Sequence, residues 1–341
     1  MISSPAFDRD RRRTAAASLA TVSLFRGCER WLGRALLFSV LLTALVGCAA
    51  TSQTRLLLDE PPADLPLQRE LVDVPFFPQE RYQCGPAALA TVLDYSGLAV
   101  GPDELVPMVY VPDRQGSFQV EMLAATRRHE RLAYLIEPDM ENLLRTLAGG
   151  QPVLVLQNLL LERYPQWHFA VAVGYDLERK EIILRSGLIE RYSVRMGVFE
   201  RTWRRGDQWA MVALKPGELP AHGHPHRYLA AVAAFEYNAS APAAERAWQA
   251  GVDRWSGHAD LLTGYANFLY QNGESERAIA QLRQAVEHQP DHAPAHNNLA
   301  WLLGQQGQRE EAIALARRAV ELAGDQAESY RTTLNSLLAG Q

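Results

Sequence analysis

The chain has 341 residues, 48% hydrophobic and 21% charged, a globular composition that excludes a disordered chain and fits two domains of roughly 100–200 residues each. Its formal net charge is −5, and outside residues 1–47, which hold seven Arg and three acidic residues, the balance is −9. No nucleic-acid partner is expected, because a phosphate backbone has to be met with Lys and Arg.

An Arg-studded stretch up to Arg34 leads into an apolar run from Ala35 to Gly47. The run is too short to span a bilayer but suits the apolar part of a signal peptide. It ends in Leu45-Val46-Gly47-Cys48, followed by Ala49-Ala50. These residues resemble a bacterial lipobox. The resemblance implies that 1–47 is a lipoprotein signal peptide and that Cys48 is lipidated and becomes the mature N-terminus. It further implies that Ala49 directs the chain to the outer membrane, facing the periplasm. A plain secretory signal cut near Ala49-Ala50, or a signal anchor, is the alternative. On the lipoprotein reading Cys28 leaves with the signal and Cys48 carries lipid. Cys84 is then a single thiol in an oxidising compartment.

Residues 48–70 contain Pro61, Pro62 and Pro66 and no periodicity, and read as a tether. A mixed helix-and-strand region follows over 71–216. Its first helix begins at Cys84-Gly85-Pro86, since Pro suits a first helical turn, and Gly97 ends it. A cysteine at a helix start sits at the positive end of the dipole, which favours the thiolate. Arg127 to Arg131 reads as the solvated end of a helix. Residues 153–157 read as a strand after the Gly149-Gly150 turn. His168 opens a second strand, apolar throughout from Phe169 to Val173 and so buried. Further strands are expected at 181–185, 192–194 and 209–214.

Residues 217–226 read as a linker containing His222, His224 and His226 without nearby Cys or carboxylates at metal-ligand spacing. The rest, 227–341, is helical in pattern and repeats. Gly273 and Gly307, Ala266 and Ala300, and Ala278 and Ala312 all lie 34 residues apart. This spacing resembles the tetratricopeptide repeat, with a degraded earlier copy over 225–258 and a capping helix over 327–338. His288, His292 and His296 read as repeat-boundary surface. Such arrays usually offer a groove to a protein or peptide.

A helix carrying Cys followed by a sheet carrying His is the chain order of papain-like cysteine enzymes. Gln79-x4-Cys84-Gly85-Pro86-Ala87, then Gly150-Gln151-Pro152-Val153, then His168-x5-Gly174-Tyr175-Asp176 resemble the double-glycine leader peptidase family, papain-like peptidases that trim bacteriocin precursors. The whole chain is similar to bacterial lipoproteins that join such a domain to tetratricopeptide repeats. The resemblance implies an α+β papain-like cysteine peptidase domain followed by an all-α tetratricopeptide-repeat solenoid. It implies Cys84 as nucleophile, His168 as base and Gln79 as oxyanion donor, with no metal or organic cofactor. The family's usual Asp is replaced by Ser186, followed by Gly187. Ser186 can orient the imidazole without charge, Asp176 is an acidic alternative, and a Cys–His dyad without an orienter is the third. Trp167 is a candidate shield for His168.

These readings combine into a lipid-anchored cysteine peptidase that hydrolyses a peptide bond through a Cys84 thioester. The repeats would recruit a polypeptide substrate or protein partner. A scaffold that binds peptides without cleaving them and a periplasmic cell-wall peptide amidase are the alternatives.

Overall fold

The computed structural model describes residues 52–79, 83–324 and 327–340. The expected signal peptide 1–47 and the lipidation site Cys48 lie outside the described residues. The first part of the chain runs α1 (Ser52–Asp59), β1 (Gln68–Glu70), α2 (Cys84–Tyr95), α3 (Pro102–Val109), α4 (Gln119–Arg128), β2 (Leu132–Leu135), α5 (Met140–Ala148), β3 (Val153–Asn158), β4 (Trp167–Asp176), β5 (Glu181–Ser186), β6 (Ile189–Arg195), α6 (Met196–Arg204) and β7 (Ala210–Leu214). This is the α+β domain that the sequence predicts.

The seven strands form one antiparallel sheet in the order β2-β7-β3-β4-β5-β6, with β1 paired to β4. Every residue of β4 from Phe169 to Tyr175 is buried. A strand with both side-chain sets buried is covered on both faces, which is why its sequence is apolar without alternation. Helix α2 packs against β4, and its residues from Gly85 to Leu93 are buried. That packing fixes the start of α2, where Cys84 stands.

The stretch expected to be a tether, 48–70, carries ordered elements from Ser52 onward. Leu57 and Leu65 are buried, and the Thr54 N–H donates to Glu200 Oε2 at 2.8 Å. Pro61-Pro62 comes one residue after the helix end, where proline cannot continue it. Two helical turns are too few to reveal a period, so composition alone suggested a spacer.

The second part consists of α7 (Pro225–Glu236), α8 (Ala241–Arg254), α9 (Ala259–Gln271), α10 (Ser275–His288), α11 (Ala293–Gln305), α12 (Arg309–Leu322) and α13 (Ala327–Ala339). Three helical hairpins and a closing helix match the repeat reading. Ala266, Ala278, Ala300 and Ala312 are all buried, so adjacent helices approach closely. Gly273 and Gly307 have φ of 82° and 78°, a left-handed turn that glycine adopts without steric penalty. The linker ends sooner than expected, because α7 starts at Pro225 and places His226 in its first turn. Nor are His292 and His296 surface residues. Both are buried, and His292 caps α11 by accepting from the Ala295 N–H at 3.1 Å.

Helix α7 packs on β2. The His224 N–H donates to Tyr134 Oη at 3.0 Å, and Arg227 Nη2 donates to Glu137 Oε2 at 2.8 Å. The repeats are therefore docked on the edge of the sheet.

Candidate active site

Cys84 opens α2 with no side-chain cap from Gln83. The free N–H groups of a helix start are thus available to the sulfur. The backbone N–H groups of Phe169, Gly85 and Cys84 itself face the thiol and pull its pKa down, but burial pushes harder, and the thiol stands above its ordinary value. This reverses the expectation of a thiolate at rest. The helix start supplies the donors, but the dense packing of α2 on β4 removes the water that would also solvate the anion.

His168 lies on β4 opposite Gln157 of β3. Burial lowers its pKa to about 4, so the imidazole is neutral near pH 7. Ser186, the last residue of β5, places its Oγ 2.8 Å from His168 Nε2. With Nε2–H donating to Ser186 Oγ, Nδ1 keeps the lone pair and is the nitrogen free to accept a proton. Asp176 is not part of this arrangement. It ends β4, eight residues on and roughly 26 Å away along an extended strand, and its Oδ1 accepts from the Arg179 N–H at 2.8 Å.

Gln79 reaches the same place from the other side. Its N–H donates to the carbonyl of Gly187 at 3.1 Å, beside Ser186. Gln79, Cys84, His168 and Gly187 line one cavity of about 990 Å³, with Ser117, Phe118, Gln166 and Trp167 among the other walls. The structure thus brings together all four residues that the sequence selects, three on the cavity wall and Ser186 behind the imidazole.

The 111–118 segment was missed by sequence reasoning. It folds back on itself through a Val111–Gly116 bridge, and its turn-forming Pro112-Asp113 and Gln115-Gly116 are the local signal that could have marked it. Ser117 lies directly over Gly85. A Cβ at position 85 would meet Ser117 Oγ at 2.1 Å, so glycine after the cysteine lets this wall close. Trp167, 52% exposed, forms part of the cavity wall beside His168. Phe118, on the same wall, is exposed too. Leu160, Leu161 and Tyr164, in the loop before Trp167, are exposed as well.

Residues 71–210 match a Peptidase_C39 like family, and residues 257–325 match the tetratricopeptide repeat. The α+β domain resembles C39-like peptidases. A structure described as a candidate C39-like peptidase from Bacillus anthracis is 20% identical, covers 43% of this chain and 98% of its own, and has a TM-score of 0.38. The TPR2B domain of yeast Sti1 in its pHsp70 complex is 16% identical over 34% of this chain and 98% of its own, with a TM-score of 0.32. The Sgt2 TPR domain from Aspergillus fumigatus is 13% identical over 34% of this chain and 77% of its own, also with a TM-score of 0.32. No curated protein matches the chain. The C39-like domain thus carries the Cys84 cavity, and the tetratricopeptide region carries the helical hairpins.

Proposed function

We propose that the C39-like domain is a cysteine peptidase acting on a polypeptide that the tetratricopeptide repeats recruit. The observation that carries this reading is the convergence of Gln79, Cys84 and His168 on one cavity, with Ser186 Oγ 2.8 Å from the imidazole. Cys84 Sγ attacks the scissile carbonyl while its proton passes to His168 Nδ1. The oxyanion is met by the Gln79 side-chain amide and the Cys84 N–H. The C–N bond then breaks, the amine takes the proton from His168, and a thioester remains on Cys84. Water, deprotonated by the same imidazole, hydrolyses it. Ser186 holds the imidazole in register and touches no reacting atom. Phe118 and Trp167 on the cavity wall support a substrate with an apolar side chain near the scissile bond. An anchor on Cys48 would hold the enzyme at the outer membrane, facing the periplasm.

A peptide-binding scaffold without turnover is the second reading, favoured by one observation: the neutral Ser186 gives the imidazolium no charged partner. Incubation of the full chain with a mixed peptide library, read by mass spectrometry beside Cys84→Ala, separates the two. The peptidase reading expects products from the parent and none from the variant. It fails if both leave the library intact, or if both cleave it equally.

A further inference from the structure

We propose that His226, His258 and Asp260 form a three-ligand site for a divalent transition metal ion of the zinc class, clamping the first two helical hairpins together. His226 stands in the first turn of α7, His258 is the N-cap of α9, and Asp260 lies in the first turn of α9. Each offers one ligand atom, and the three atoms lie within 4.8 Å of one another. The repeat explains the meeting. His224, His258 and His292 lie 34 residues apart, each just before the first helix of a hairpin. His226 and Asp260 follow two residues after the first two of them, so stacking brings positions 226 and 260 side by side.

The donor set suits zinc. Two imidazoles and one carboxylate are common three-ligand partners that leave a fourth position for water. His226 Nδ1 and Asp260 Oδ2 are 4.0 Å apart. Tetrahedral bonds of about 2.0–2.1 Å need roughly 3.4 Å between ligand atoms. That gap closes by about half an ångström and the widest of the three by at most about 1.4 Å, and the His226 side chain, 76% exposed, is free to move.

Asp260 is already oriented from behind. His292 accepts from the Ala295 N–H through Nδ1, so its Nε2 carries the proton and donates to Asp260 Oδ1 at 2.9 Å. That leaves Oδ2 for the ion. A buried imidazole fixing a ligating carboxylate is an outer-shell contact of the kind that tunes metal sites. His258 has a competing role, because its Nδ1 accepts from the Leu261 N–H. At 3.4 Å this cap is longer than the 3.1 Å cap of His292, and ligation through Nε2 would move the proton to Nδ1 and release it. The positive ends of α7 and α9 oppose a cation, and the Asp260 carboxylate offsets them.

The test is titration of the untagged, chelator-treated full chain with Co²⁺, followed by Zn²⁺ competition. The parent should develop visible Co²⁺ bands of tetrahedral intensity at one ion per chain, abolished by Zn²⁺. That spectrum should disappear in His226→Ala, whose exposed side chain can be removed without unfolding α7. His292→Gln should weaken binding by about 10-fold or more. Zn²⁺ should also raise the melting temperature of the parent and leave that of His226→Ala unchanged. A parent that shows no such bands overturns the proposal, as does a Co²⁺ spectrum that survives in His226→Ala and Asp260→Asn alike.

Discussion

Ser186 stands where the family resemblance implies an Asp, and replacing it measures what a neutral partner costs His168. Its Oγ lies 2.8 Å from His168 Nε2, so Ser186→Ala leaves a partly buried ring N–H without an acceptor. A neutral hydrogen bond of this kind contributes about 1 kcal/mol, a factor of about 5 in kcat/KM. Ser186→Asp works in the opposite direction. A carboxylate within hydrogen-bond reach raises an imidazole pKa by roughly 1–3 units, starting from a His168 that burial has pushed down to about 4. The acid limb of the pH–rate profile should therefore move to higher pH in Ser186→Asp, and turnover near neutrality should rise because the imidazolium formed during attack is now paired. Peptide cleavage across pH supplies the profile, and NMR titration of His168 reads its pKa without requiring activity. If Ser186→Asp leaves the His168 titration where it was, Ser186 does not hold this ring, and the assigned geometry is wrong.

Three further outcomes are expected. Iodoacetamide should label Cys84 more slowly near pH 7 than it labels a free thiol, with the rate climbing as the pH rises, because burial holds the thiol above its ordinary value; fast labelling at pH 6, followed by mass spectrometry, would contradict this. Because His168 is lowered from 6.5 to about 4, the unfolded chain takes up its proton first, so stability is full above about 6.5 and falls as the pH drops towards 4. The loss is of order 3 kcal/mol, and urea melts should show it in the parent between about pH 6.5 and 4 and lack it in His168→Gln. Gly85→Ala pushes a Cβ against Ser117 Oγ, an overpacking of about 1–3 kcal/mol seen as a lower melting temperature, and adding Ser117→Gly should restore most of it.

The proposed catalytic pair was legible because each member sits at a boundary with its own local signal. Pro86 marks the start of α2 and so the position of Cys84, and the unbroken apolar run after His168 marks a strand covered on both faces. Ser186 was legible only by comparison with the family pattern, since a serine at a strand end has no distinctive signature. The direction of the thiol shift was not legible. Helix-start placement and burial act against each other, and only packing decides which is larger. His226 and Asp260 were invisible as a pair for a related reason. They lie 34 positions apart, and the repeat register that joins them becomes physical only when the hairpins stack. The short helix α1 escaped because two turns show no period.

The docking of the repeats bears on how recruitment would act. Helix α7 is held to β2 through Tyr134 and Glu137, and β2 is separated from β4 by β7 and β3. Three strand spacings are about 14 Å, and the register from Leu135 through Met211 and Leu154 to His168 adds about 10 Å along the strands. Leu135 and His168 are therefore roughly 17 Å apart within the sheet. A polypeptide held on the repeats would meet Cys84 at an effective concentration that for a short flexible connection is about millimolar. Recruitment of this kind would lower KM and leave the chemical step to the cavity. The division of labour follows from which elements carry each part: the repeats hold none of the residues around Cys84, and the sheet that holds them supplies the surface on which the repeats are fixed.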